Sequence, residues 1–289
     1  MTPDDHLDLT HTGTLIPLLQ RHGFSTRKSL GQHFLISRKA LTAIVAACEL
    51  HEGAPVLEIG PGIGTLTRAL AEEGARVTAV ELDARAVEVL HETVGGFPGV
   101  QVLQQDILAV DLPALLGEER WTVVGNLPYY ITTPVISAML GVGERVIRMV
   151  FMVQREVADR LQAPPGGKDY GSLSVYVQVF AAVERIIKVP SGAFLPPPTV
   201  DSAVVRLNMR PQPLVPPALQ NVFFRTVRAA FGQRRKTLGN ALAGGGILDA
   251  NREAIAAALD AAGIASGRRG ETLGIDEYRR LAEEIAERA

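Results

Sequence analysis

Val56-Leu57-Glu58-Ile59-Gly60-Pro61-Gly62-Ile63-Gly64-Thr65 is an apolar run that passes through three closely spaced glycines into a helix-forming segment. Such a run predicts a strand, and glycines after it permit a tight turn whose bare backbone a ligand can approach. Outward from it, β-branched runs at 56–59, 77–80, 100–103, 122–124 and 148–153 alternate with segments such as 65–73 and 84–93, whose apolar residues recur at helical spacing. That alternation predicts a parallel sheet with crossover helices. Runs at 173–180 and 203–207, separated by a proline-rich loop, read as two more strands added antiparallel at the sheet edge, giving a mostly parallel sheet of seven strands.

Pro211, Pro213, Pro216 and Pro217 crowd the stretch 210–217, which cannot continue a helix or a central strand. A boundary there divides the chain into an α/β domain at 1–210 and a smaller all-helical domain at 211–289. Helices are expected at 218–231, 233–243, 252–262 and 276–288, the last with Asp276 as N-cap. The first twenty residues read as a polar extension leading into a short helix.

The chain of 289 residues is 47% apolar, enough for a full core. Its one cysteine, Cys48, excludes an internal disulfide, and no Cys/His cluster has zinc spacing; the expectation is a cytoplasmic protein without a metal. No apolar stretch approaches the length of about 18 residues that a membrane span requires. The opening, with Asp4, Asp5 and Asp8, does not read as a signal peptide. The net charge of -2 conceals segregation. Residues 202–248 contain no Asp or Glu but do contain Arg206, Arg210, Arg225, Arg228, Arg234, Arg235 and Lys236, and 21–40 is likewise free of acids. One such run is an ordinary solvated face; two suggest a polyanionic partner.

Four places carry candidate chemistry. Gly64 follows Gly62 by two residues, where a dinucleotide-binding loop wants three, which disfavours a nicotinamide cofactor. Glu81 closes the second strand, where a carboxylate suits ribose hydroxyls, and Asp106 ends the third, placed to accept from an adenine amino group. Each has a plain structural reading alone, a turn or an exposed acid; together they line the carboxyl ends of successive strands. After the run at 122–124 comes Asn126-Leu127-Pro128-Tyr129. An amide oxygen and the Leu127 carbonyl could each accept one N–H of an exocyclic amino group, Pro128 would stiffen the turn, and Tyr129 offers a face for a splayed-out base. A plain Asn-Pro turn with Tyr129 in the core is the alternative.

These motifs, with Leu30-Gly31-Gln32-His33-Phe34-Leu35, Gln154-Arg155-Glu156-Val157, Tyr170-Gly171-Ser172-Leu173, Pro196-Pro197-Pro198-Thr199-Val200-Asp201-Ser202 and Phe231-Gly232-Gln233-Arg234-Arg235-Lys236-Thr237, resemble the small-subunit ribosomal RNA adenine dimethyltransferases over nearly the whole chain. The resemblance implies a Rossmann-like domain that uses S-adenosylmethionine, held by His33, Leu35, Gly60, Gly62, Glu81, Asp106 and Asn126. It implies that Asn126, Leu127, Pro128 and Tyr129 serve the adenine. Phe194 and Pro197 would wall the pocket, and Arg234, Arg235 and Lys236 would grip phosphates of 16S ribosomal RNA within the small subunit, with no membrane and no obligate protein partner. His33 stands where the family often has Asn, and Thr199 where it usually has Lys. The glycine loop and tetrad are shared with large-subunit RNA methyltransferases and with transcription factors of the same fold, so they fix chemistry better than target.

Overall fold

Alternating β-branched runs and amphipathic segments do build a layered α/β unit, seen in a computed structural model that describes residues 7–24, 33–128 and 131–289. The chain begins with α1 (Thr12–Arg21), β1 (Phe34–Leu35), α2 (Arg38–Cys48), β2 (Pro55–Ile59), α3 (Thr65–Glu72), β3 (Arg76–Glu81) and α4 (Ala84–Val94). It continues through β4 (Val100–Gln104), α5 (Leu112–Leu116), β5 (Trp121–Asn126), α6 (Thr132–Gly141), β6 (Val146–Gln154) and α7 (Arg155–Gln162). Then come α8 (Ser172–Phe180), β7 (Ala181–Val189), β8 (Phe194–Leu195) and β9 (Ser202–Met209), followed by α9 (Pro217–Gly232), α10 (Leu238–Gly244), α11 (Arg252–Ala261) and α12 (Ile275–Ala286).

Two compact units divide the chain: Met1–Ala158 with Glu184–Met209, and Asp159–Val183 with Arg210–Ala289. The second unit thus takes in 159–183, which the sequence alone assigns to the first. In the first unit the sheet order is β4-β3-β2-β5-β6-β9-β7. Strands β2 to β6 pair in parallel and β9 runs antiparallel to β6. From β2 the chain builds outward through β3 and β4, then returns to lay β5 and β6 on the other side. The order therefore reverses between β2 and β5, and the carboxyl ends of those two strands flank the crevice where open α/β sheets bind ligands. Val56, Leu70, Val77, Val124, Val150 and Val204 form part of the core on one face.

The N-terminal extension is less polar in its packing than its composition suggests. Leu15, Leu18 and Leu19 of α1 are buried with Phe24, Phe34, Ile63 and Val89, which seats this helix beside the glycine loop. Arg21 and His22 both reach Glu92 on α4, the histidine at 2.7 Å.

Three expectations are corrected. The run at 173–180 is helix α8, not a strand; the edge strand is β7, which follows it. Its Ser174 hydroxyl accepts the Gly171 N–H at 3.0 Å and donates to the Arg160 carbonyl at 2.6 Å, closing the first turn. Val175, Val177 and Val179 are all fully buried, and burial overrides the weak β preference of valine. The helix expected at 233–243 begins only at Leu238, and Asp276 lies inside α12, whose first turn is closed by Glu277 accepting the Gly274 N–H at 3.0 Å. In the second unit Tyr170, Phe223, Val227, Leu242, Leu259 and Tyr278 form the core. The buried tyrosine hydroxyls are satisfied by the carbonyls of Leu273 (3.0 Å) and Gly270 (2.9 Å).

Candidate active site

Gly60, Gly62 and Gly64 all adopt positive φ, at 66°, 59° and 89°. A side chain at any of them would be strained, and at Gly64 it would also meet Thr93 Oγ1 at 2.8 Å. A Cβ at Gly60 would meet nothing within 4 Å among the described residues, so this stretch of loop presents bare backbone, a cradle of the kind a ligand can approach closely. Glu81 joins the loop to β3: its Oε2 accepts the Gly62 N–H at 3.0 Å, and its Oε1 accepts those of Leu82 (2.8 Å) and Asp83 (2.9 Å). Burial pushes the carboxyl above the usual carboxylate range, while the three N–H donors pull it back. An ionised carboxylate has about four lone-pair sites, so Oε2 keeps an acceptor position for one hydroxyl and a second must share Oε1.

Asp106 follows β4 and is exposed, with Oδ1 accepting the Leu108 N–H at 2.9 Å. Two residues missed by the sequence reading flank these acids. Leu82 is 63% and Leu108 45% exposed, each one or two positions past an acid at the end of neighbouring strands. Both stand exposed at the carboxyl edge of the parallel sheet, beside the acids that close it. The only signal in the sequence was their position immediately after the strand-terminal acids.

Asn126 ends β5. Its Nδ2 donates to the His33 carbonyl at 3.2 Å, which leaves Oδ1 as the acceptor end of the amide. His33 Nδ1 lies 2.7 Å from the Pro196 carbonyl, and β1 pairs antiparallel with β8, matching Phe34 to Leu195 and Leu35 to Phe194. The His33 motif, the proline loop and Asn126 are therefore one assembly. Leu127 is buried, and its N–H donates to the Met152 carbonyl at 3.3 Å. The Pro128 carbonyl accepts from Ile131 N (3.1 Å) and Thr132 Oγ1 (3.3 Å), fixing the turn. Gly125 is required by close approach: a Cβ there would sit 2.6 Å from the Ile59 carbonyl oxygen and 2.9 Å from Leu127 Cδ2. Phe194 is buried and Pro197 exposed; Tyr129 lies outside the described residues.

Behind the loop, Glu58 of β2 is 1% exposed, and its Oε2 and the hydroxyls of Thr65 and Thr67 have no hydrogen-bond partner among the described residues. Burial raises its pKa to about 8, and the nearby Glu81 charge adds to that.

The sequence profile described as ribosomal RNA adenine dimethylase matches residues 23–287. The chain belongs to this family. Among the family's proteins, ribosomal RNA small subunit methyltransferase A of Geobacillus thermodenitrificans is 45% identical over 96% of this chain and 97% of its own length. The protein of the same name from Desulfitobacterium hafniense is 48% identical over 91% and 93%. Among solved structures, the 23S rRNA methyltransferase ErmE is 32% identical, with a TM-score of 0.69 over 88% of this chain and 99% of its own. A dimethyladenosine transferase from Plasmodium falciparum, 23% identical with a TM-score of 0.74 over 89% and 98%, shares the fold. Adenine dimethylases of this family use S-adenosylmethionine as methyl donor, and the cradle fits it: bare glycine backbone, a ribose-ready carboxylate and two exposed leucines. Among the described residues no helix is long and apolar enough to cross a membrane.

In the second unit Arg234, Arg235 and Lys236 are exposed, between α9 and α10. Arg234 is partly committed within the protein, because its Nη2 donates to the carbonyls of Lys168 (3.3 Å) and Tyr170 (3.2 Å). Arg235 and Lys236 extend from a short turn closed by Lys236 N donating to the Gln233 carbonyl at 2.9 Å.

Proposed function

We propose that this chain dimethylates the exocyclic amino groups of two adjacent adenosines near the end of 16S ribosomal RNA, acting in the cytoplasm on the small ribosomal subunit. The observation that carries the reading is the anchored amide of Asn126, whose nitrogen is held by the His33 carbonyl and whose oxygen is left to accept.

The lone pair of an adenine amino group is delocalised into the ring, so the nitrogen is a poor nucleophile and hardly basic. Asn126 Oδ1 and the Leu127 carbonyl each accept one of its N–H bonds, which favours a tetrahedral nitrogen with its lone pair directed away from both acceptors. Pro128, pinned through its carbonyl, keeps those acceptors in register. Tyr129 stacks on the base and stabilises the positive charge that develops on it. No general base is needed, since the methylated nitrogen is acidic enough to lose its proton to water. S-adenosylmethionine, when bound, supplies an electrophilic methyl group on a sulfonium.

His33, Leu35, Gly60, Gly62, Glu81, Asp106 and Asn126 would hold the donor, Glu81 by accepting from ribose hydroxyls and Asp106 by accepting from the adenine amino group, and Leu82 and Leu108 would offer apolar surface to the ring. Phe194 and Pro197 wall the pocket. Methyl transfer belongs to the first unit and the grip on RNA to the second, through Arg235 and Lys236 and in lesser part Arg234. Labelled donor offered to unmethylated small-subunit particles and to naked large-subunit RNA tests the target: incorporation into the particles is expected, and incorporation into large-subunit RNA alone would reject it.

A further inference from the structure

The helical unit carries a surface cavity of about 300 Å³ that the reaction does not use, lined by Thr237, Asn240, Arg252 and Ser266 over Ile255 and Leu259. We propose that it seats one phosphate of the RNA chain together with its ribose. Among the described residues no carboxylate lines it, and Arg252 supplies the charge. That charge is aimed rather than loose: Asn240 Nδ2 donates to Thr237 Oγ1 at 3.0 Å, and Arg252 Nη1 donates to Asn240 Oδ1 at 3.4 Å. One arm of the guanidinium is thereby held, and the rest of its planar fork of donors matches phosphate oxygens.

The opposite wall, Ser266 and Gly267, is tied to the start of α10 by Leu238 N donating to the Arg268 carbonyl at 2.7 Å, so Thr237 and Ser266 line one volume from two segments. The cavity is wider than a phosphate alone needs, and the apolar floor of Ile255 and Leu259 suits a sugar. Arg235 and Lys236 immediately precede Thr237, so an RNA strand seated here runs on to both. With Arg234 partly committed to backbone carbonyls, Arg252 takes the place in the phosphate grip that the sequence reading gave to Arg234.

The proposal rests on the RNA reading above and adds a location to it. Its test uses the full chain and unmethylated small-subunit particles, with affinity measured across a salt series. Arg252→Ala is expected to bind about tenfold more weakly, with a log-affinity slope against log salt shallower by about 0.7 to 0.9, the loss of one phosphate contact. Asn240→Ala should fall between that variant and the parent, Arg252→Lys should recover most of the slope, and donor affinity should not change. Unchanged affinity in Arg252→Ala, or weaker binding with the parental slope, overturns the cavity assignment. Salt-independent particle binding by the parent chain would instead refute the RNA reading itself, and this inference with it.

Discussion

At Asn126 the two ends of one amide have different tasks: the nitrogen is spent on the His33 carbonyl, and the oxygen is thereby committed to accepting. Asn126→Ala should therefore reduce methyl transfer at least about a hundredfold, the scale of losing one orienting contact, while particle affinity stays at the parental value; full turnover in that variant would remove the residue from the mechanism. Glu58 makes a different prediction. Its folded-state pKa is about 8 against an ordinary 4.5. Below that ordinary value both states hold the proton, and between the two values only the unfolded chain releases it. Stability thus falls as pH rises from 4.5 to about 8, by on the order of 1 kcal/mol per unit. Glu58→Gln, neutral at every pH, should flatten this slope and be the more stable protein at pH 8. Denaturation midpoints of both at pH 5 and pH 8 check it, and equal slopes would show that Glu58 ionises freely in the fold.

Elements meet at this site through backbone as much as through side chains. Gly125 lets β5 approach β2 so closely that a methyl group would strike the Ile59 carbonyl. Gly125→Ala should cost about 1–3 kcal/mol, the usual penalty of overpacking, seen as a lowered Tm, and should reduce activity further because Asn126 is the next residue. A Tm at the parental value would mean that the strands separate without cost. The pairing of β1 with β8 has no such local signature: Phe34-Leu35 and Phe194-Leu195 are short apolar pairs that resemble any buried dipeptide. The glycine loop was legible because its residue types and spacing are themselves the constraint. Helix α8 was not, because Ser172–Phe180 reads as a strand by local preference and is helical through the core it enters.

Across the whole chain, the segregation of charge predicts that affinity for the RNA particle is steeply salt-dependent while donor binding, centred on Glu81 and bare backbone, is much less so. Replacing Arg235 and Lys236 together with Ala should reduce the salt slope by about two phosphate contacts, or roughly 1.4 to 1.8; a slope identical to the parent would place the RNA elsewhere. The sequence by itself determined the five parallel strands β2 to β6 and the helices α3 and α4 between them, the glycine turn, the acids at strand ends, the tetrad and the acid-free basic run. All of these are short-range patterns, in which periodicity, φ requirements or charge are written into neighbouring residues. Tertiary structure alone decided that Asn126 meets His33 across 93 residues, that His33 reaches Pro196 across 163, that Glu58 is sealed from water and that Arg252 faces Thr237 and Ser266. Those pairings arise only when the sheet closes and the helices pack, because partners so far apart in sequence are chosen by what the core brings into reach.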